Sequence, residues 1–397
     1  MPPRLPPRWV AIGIFTLSAA LNYLDRQILP ALAPLLRQEF GLSNAGYGLL
    51  LSAFSIAYAA SAPAAGLFID RAGLNRGACA IVALWSLAGL GTGLAGSFAG
   101  LLVFRAALGV AQAGGVPASG KATAVYLPPQ ERSLGTATTQ IGLSAGAIAA
   151  PLVAAWLTPA FGWRSAFLVT GLAGFLWIPL WLATARRVRV PPATGRVTAP
   201  RPAGMLADRR LWGLIIATVL YMSLYSLWSN WTTLYLVEEQ GLTTQQANRT
   251  LAWIPPLFAN VGGLAGGWLA LRWIRSGVPA VPARLRVCWW SAGLLLLTAA
   301  LPLAPAPGLA TALICLSFFW TTAMSVNVYA IPLDIFGARR AAFAVSTLTC
   351  AYGAMQTLVS PAIGALIDRY GFGLVCVLMA GLPLAAVCIL QWTQKPE

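Results

Sequence analysis

Residues 9–32 read WVAIGIFTLSAALNYLDRQILPAL. An apolar run of this length, preceded by Arg4 and Arg8, is too long for the hydrophobic region of a cleavable leader. It exceeds the roughly 20 residues that a helix needs to cross about 30 Å of hydrocarbon. Its second half nevertheless carries Asn22, Tyr23, Asp25 and Arg26, and a charge at the centre of a membrane helix costs about 2.5–3.5 kcal/mol on insertion scales. Residues 9–32 therefore predict a first spanning helix whose polar groups face a protein-lined cavity.

The rest of the chain supports a membrane protein. Of its 397 residues, 58% are hydrophobic and 9% charged, where an ordinary soluble domain carries about a quarter charged. Twelve stretches are long and apolar enough to span: 9–32, 45–68, 78–97, 99–125, 133–157, 165–185, 211–234, 249–271, 285–304, 308–332, 341–366 and 372–391. Residues 186–210 differ from all of these, with seven arginines, repeated prolines and no long apolar run. They predict a cytoplasmic linker between an N-terminal six-helix bundle at 1–185 and a C-terminal one at 211–397. The halves repeat weakly: Pro151 followed by Gly162-Trp163-Arg164 matches Pro361 followed by Gly371-Phe372-Gly373, and the Gly66–Arg76 loop pairs with Gly266–Gly277. Repeated six-helix halves are a transporter arrangement.

The formal charge of +16, from 26 Lys and Arg against 10 Asp and Glu, looks at first like the signature of a nucleic-acid binder. Its distribution argues otherwise. With both termini placed in the cytoplasm, nineteen of the cations fall in cytoplasmic segments and four, Arg37, Arg164, Arg249 and Arg369, in outer loops. That asymmetry is the positive-inside pattern, so the charge orients a multi-pass protein of the cytoplasmic (inner) membrane and implies no nucleic-acid partner. Histidine is absent, which excludes His-ligated metals, His triads and His proton relays. The six cysteines sit singly in apolar sequence as packing residues. No catalytic group, metal or cofactor is expected, and the chain does not read as an enzyme. Gly142-Leu143-Ser144-Ala145-Gly146 matches the G-x-S-x-G nucleophile pattern, but inside a span, without a strand or a histidine, it reads as a helix-packing string. The sequon matches at Asn230 and Asn248 carry little weight without a known host.

Apart from Arg249 and Arg286 at span ends, Asp25, Arg26, Arg105 and Lys121 are the charged residues inside the predicted spans, and they are the first candidates for function. On the first helix Asn22 and Asp25 share one face and Tyr23 and Arg26 the next. On the fourth, Arg105, Gly109, Gln112 and Ser119 form a stripe that Gly114, Gly115 and Pro117 interrupt. Lys121 lies off that stripe and nearer the cytoplasm, placed either to snorkel or to reach a ligand. The structural alternative for both arginines is a salt bridge to Asp25 that joins helices one and four. In the seventh helix Tyr221, Tyr225 and Trp228 share a face, either an interfacial belt or a cavity wall. Tyr58, Asn327, Tyr329 and Gln356 are uncharged polar groups at membrane depth, suited equally to ligand hydroxyls and to interhelical hydrogen bonds.

These residues resemble the major facilitator superfamily over essentially the whole chain. GLFIDRAGLNR at 66–76 is similar to its signature loop, which implies a cytoplasmic gate at Asp70 and Arg71. NYLDRQ at 22–27, SAFSIAYA at 52–59, Arg105 with Gly109, GVPASGK at 115–121 and GWRSAF at 162–167 resemble the anion:cation symporter family, and within it the hexuronate and sugar-acid transporters. The resemblance implies an all-α membrane fold of twelve transmembrane helices in two pseudo-symmetric halves. It implies proton-driven uptake of a small organic anion by alternating access, through a monomer. Arg26, Tyr23, Tyr58 and Arg105 match the family's carboxylate-binding positions and Asp25 its titrating one, with Gln112, Tyr225 and Asn327 as further candidates for the substrate site. The chain also departs from the pattern. Where the family has a protonatable Glu followed by Ala-Gly-Asn-Phe-Pro, this chain has Gln112-Ala113-Gly114-Gly115-Val116-Pro117, and Leu271 replaces an Asp in the loop after helix eight. Glutamine cannot titrate, so Asp25 is the remaining acid at membrane depth. Importing an anion against an inside-negative potential costs about 2.3 kcal/mol per charge per 100 mV, which favours coupling to a proton. The rival expectations are an exchanger or uniporter in which Asp25 only neutralises an arginine, a drug exporter suggested by Gly146 and Pro151, and a ligand sensor without transport.

Overall fold

The computed structural model describes residues 6–188 and 205–394, and among these it is helical, with no strand. Most of the expected linker, 189–204, lies outside the described residues. Among the described residues, twelve long helices carry the fold. They are α1 (Pro7–Ala31), α2 (Asn44–Ala72), α3 (Leu74–Leu94), α4 (Phe98–Tyr126), α5 (Arg132–Phe161), α6 (Arg164–Arg187), α7 (Arg209–Glu238), α8 (Thr244–Arg275), α9 (Ala280–Leu303), α10 (Pro307–Gly337), α11 (338–370) and α12 (372–393). Ten stretches among the described residues are long and apolar enough to cross a bilayer, the last of which, Phe343–Thr393, covers α11 and α12 together. The polar second half of α1 keeps it out of that group, although its 25 residues are long enough to span.

The turns repeat between the halves of the sequence. Gly41 and Gly241, Gly73 and Gly277, and Gly162 and Gly371 all have positive φ, between 60° and 92°, at corresponding helix ends. A side chain at those angles is strained, which explains why the weak repeat keeps its glycines. Prolines explain the two breaks inside spans. Pro117 lacks the N–H that would bond Ala113, and α4 breaks at Ala113–Gly114. Pro255 and Pro256 likewise interrupt α8 at 251–253.

The chain forms two compact units. The first comprises Met1–Gly41, Leu49–Arg196 and Thr244–Trp253; the second comprises Leu42–Gly48, Val197–Thr243 and Ile254–Glu397. In the first, Trp177 and Trp181 stack with centroids 5.6 Å apart, and Phe15 meets both edge-on. Arg8 and Trp9 at the start of α1 both donate to the Glu131 carboxylate, at 2.8–3.0 Å. Outside the spans, Arg164 donates to Glu39 at 2.9 Å and, with the Trp163 indole, holds that carboxyl below the usual range. In the second unit Tyr221, Leu214, Met324, Val328 and Leu390 are fully buried together. There the Asp368 carboxylate accepts the first amides of α2, from Asn44 and Ala45, at 2.9 Å each. This places an acid at a helix N-terminus, where the macrodipole favours it.

Small residues set the helix spacing. A Cβ at Gly142 would lie 2.5 Å from Thr16 O, and one at Gly146 would collide with Ala20 O and Leu24 N. The serine-hydrolase look-alike is thus the seam that lets α5 pack on the backbone of α1. Gly262 and Gly266 of α8 approach the backbone of α10 at Phe319 and Ala323 in the same way. Replacing Gly146 with Ala is expected to lower the thermal unfolding midpoint in detergent, by an overpacking penalty of about 1–3 kcal/mol. Gly13→Ala, where nothing lies within 4 Å, should leave it unchanged, and equal midpoints for the two variants would contradict the packing role.

Candidate functional site

The first unit solves the problem of two membrane-depth arginines in two different ways. Arg26, half-buried on α1, sits in an aromatic cage: its guanidinium carbon is 4.6 Å from the Phe54 ring centroid, 5.1 Å from Tyr58 and 5.4 Å from Tyr23. Phe54 and Tyr58 are one turn apart on α2 and stack at 5.8 Å. Ring faces attract a cation by about 0.5–2 kcal/mol each without neutralising it. Arg26 Nε donates to Gln112 Oε1 at 3.3 Å, which fixes the orientation of the guanidinium. Gln112, 1% exposed, in turn donates through Nε2 to Asn22 O at 2.9 Å. The break in α4 directly after Gln112 frees its side chain to bridge back to α1. Among the described residues, no carboxylate pairs with Arg26.

A cavity of about 210 Å³ opens beside this cation. Its wall includes Asn22, Tyr23, Arg26, Tyr58, Trp85 and Gln112, with hydroxyls from Ser119, Thr123, Thr136 and Thr139 and the Gln140 amide, and it contains no acid. Two donors on this wall, Asn22 Nδ2 and Trp85 Nε1, are buried without a partner. A buried donor left unpaired costs about 1–3 kcal/mol, so a ligand that accepts from these two groups is favoured here. Its volume lies below the roughly 300–1,000 Å³ of sites for drug-sized ligands. One cation, unsatisfied donors, hydroxyls and aromatic faces suit a small, oxygen-rich anion.

Asp25 and Arg105 lie elsewhere in the same unit. Asp25 is 3% exposed and faces the Thr170 hydroxyl and the Arg105 guanidinium, without the geometry of a closed hydrogen bond. Arg105, 2% exposed, also places its guanidinium 5.8 Å from the Phe167 ring centroid. Neither side chain lines the cavity. Arg105 is thus brought to Asp25, whereas Arg26, Tyr23, Tyr58 and Gln112 come together around the cavity. Lys121 also points away from it, donating to Ile69 O at 2.9 Å and Asp70 Oδ1 at 3.1 Å at the end of α2, next to exposed Arg71.

The second unit's candidates are occupied by packing. Asn327 is fully buried, and its Nδ2 donates to Gly266 O at 3.0 Å and Ala323 O at 2.9 Å, tying α10 to α8. Tyr225 is half-buried and edge-on to Phe318 at 5.3 Å. Tyr221 and Trp228 are buried rather than forming an interfacial belt. Gln356 donates to Ser226 Oγ at 3.4 Å, and Tyr329 is half-buried beside the core. Both sequon asparagines are buried, Asn230 of this unit donating to Ser226 O and Asn248 of the first unit to Ala31 O. Sequence reasoning missed Phe54, Trp85 and Gln140. Phe54 was traceable four residues before Tyr58 in SAFSIAYA at 52–59, whereas Trp85 and Gln140 carried no signal.

Long apolar helices, with a cation at membrane depth beside a cavity in the first unit, define a polytopic membrane protein. The family model of the Major Facilitator Superfamily matches residues 15–347, and the chain belongs to that superfamily. The hexuronate transporter of Escherichia coli (strain K12) is 29% identical over 407 residues, covering 97% of this chain and 93% of its own. The galacturonate transporter of Dickeya chrysanthemi is 30% identical over 282 residues, covering 66% of this chain and 81% of its own. A crystal structure of a bacterial homolog of the human lysosomal transporter Spinster, inward-facing and unoccupied, shares the fold with a TM-score of 0.77 at 20% identity, covering 98% of this chain and 96% of that one.

The Asp25–Arg105 arrangement makes a thermodynamic prediction. Removing one partner of a buried charge pair costs about 3–5 kcal/mol because it strands the other. Arg105→Gln should therefore unfold at a lower temperature in detergent than the double variant Asp25→Asn/Arg105→Gln. Additive effects in that cycle would show the two charges to be uncoupled.

Proposed function

We propose that the protein takes up a small organic anion, specifically a sugar acid, with a proton across the cytoplasmic membrane, working as a monomer with both termini in the cytoplasm. The observation that carries this reading is the caged, acid-free cation of Arg26 beside two unpaired donors. A carboxylate can take the free edge of the guanidinium as a charge-assisted, forked hydrogen bond. Sugar hydroxyls can then accept from Asn22 Nδ2 and Trp85 Nε1 and exchange bonds with the threonines and Gln140. The names of the similar hexuronate and galacturonate transporters support the same substrate class.

Coupling is assigned to Asp25, which directly precedes Arg26 on α1. Protonation removes the charge that faces Arg105 and alters the hold between α1, α4 and α6. Anion binding at Arg26 and proton binding at Asp25 therefore act on the same helix. The loaded carrier alternates its access by movement of the six-helix bundles at 1–185 and 211–397, joined by the linker at 186–210. Asp70 and Arg71 serve as the gate, with Lys121 holding Asp70. Gln112 favours one rival: with an amide where the family carries an acid, the protein would be a proton-independent exchanger or uniporter.

Proteoliposomes separate these readings. An inward proton gradient should drive accumulation of galacturonate by the unaltered protein. Asp25→Asn should abolish that accumulation while retaining counterflow exchange, and Arg26→Gln should abolish both. Full accumulation by Asp25→Asn would overturn the coupling assignment, and transport surviving in Arg26→Gln would overturn the site.

A further inference from the structure

A second cavity, of about 620 Å³, lies in the second unit, at the end where α7 and α9 begin and α10 and α12 finish. Arg210, Arg286, Trp289, Asp334, Gln391 and Gln394 supply its polar and aromatic wall, with Pro279, Val281, Pro282, Leu285 and Ile335 as apolar lining. Asp334 is the acid in the wall and is salt-bridged to Arg284. Among the described residues no carboxylate pairs with Arg210 or Arg286, so the cavity keeps a positive excess. The Arg286 guanidinium instead lies 6.0 Å from the Trp273 ring centroid. α9 starts here with Pro279 as a cap that offers no side-chain acceptor to the first amides, which adds partial positive charge.

Two further observations give the occupant its character. Gln394 is 8% exposed and donates through Nε2 to Arg210 O at 3.0 Å, while its Oε1 is buried without a partner. The wall thus offers a hydrogen-bond acceptor beside its two arginines. Around it, Trp212, Trp289, Trp290 and Trp392 are 49%, 39%, 62% and 69% exposed on otherwise apolar helices. Indoles exposed at helix ends sit at the headgroup level of a bilayer, and basic pockets between helices at that level suit phosphate headgroups.

We propose that this cavity binds the headgroup of an anionic glycerophospholipid. Its phosphate lies between Arg210 and Arg286, a headgroup hydroxyl donates to Gln394 Oε1, and the acyl chains run out past the exposed tryptophans. The site is separate from the Arg26 cavity and independent of the transported substrate.

The test uses the full-length purified protein in detergent. Thermal unfolding is followed with added phosphatidylglycerol, phosphatidylcholine or soluble glycerol 3-phosphate, and lipid retention is read by native mass spectrometry. Phosphatidylglycerol should raise the midpoint above phosphatidylcholine and remain bound. Arg210→Gln/Arg286→Gln should weaken its apparent affinity about tenfold or more, whereas Arg275→Gln, outside the cavity, should not. If the double variant does not fold, the single substitutions are read in the same way, each with a smaller loss. Equal effects of the two lipids, or an undiminished preference in the arginine variants, would overturn the proposal. A shift reproduced by glycerol 3-phosphate alone would make the occupant a soluble phosphate ester and would equally overturn the lipid assignment.

Discussion

A guanidinium held at membrane depth cannot shed its charge, so the protein around it must either neutralise it or leave it waiting for an anion. Arg105 and Arg26 take opposite courses within one unit. Arg105 is 2% exposed and faces the buried carboxylate of Asp25. Arg26 is surrounded by three aromatic faces that steady its charge and by one amide that sets its plane. Aromatic faces suit that purpose because they attract a cation without competing, as a carboxylate would, for the hydrogen bonds a ligand needs.

The backbone geometry follows from those two requirements. For Gln112 to reach both Arg26 and Asn22, α4 must approach α1 and expose a side chain near its own break, which Gly114, Gly115 and the missing N–H of Pro117 permit. For Phe54 and Tyr58 to close the cage, α2 must approach α4 at Gly109, where a Cβ would lie 3.0 Å from Tyr58 N. Glycine at the contacts and proline at the breaks thus position the site, while the large aromatics of the Trp177 and Trp181 stack fill the core away from it.

Much of the fold was legible because membrane helices announce themselves one segment at a time. Length and hydropathy located the spans, and the repeat at Gly162 and Gly371 proved to be one turn used twice. Residues with charge at membrane depth were legible for the same reason, since each is anomalous in its own helix. What each charge faces is not written in its own helix. Helical-wheel reasoning separated Asp25 from Arg26 but left open which arginine faces the acid, and it left Lys121 between snorkelling and ligand when its partners are Asp70 and Ile69 O. Asn327 has the composition of a ligand group, yet its amide closes a gap to α8 that only the packed structure reveals. Trp85 reads as one more apolar residue until its indole N–H is found buried and unpaired on a cavity wall.

The central claim is that the Arg26 cage is an anion receptor, and its most direct test compares two ligands of the same ring that differ at one carbon. Calorimetric titration of the purified protein with galacturonate and with galactose should give binding of the acid only, and Arg26→Gln should erase that difference without unfolding the protein. Comparable affinities for the acid and the neutral sugar, or a preference for the acid that survives in Arg26→Gln, would contradict it.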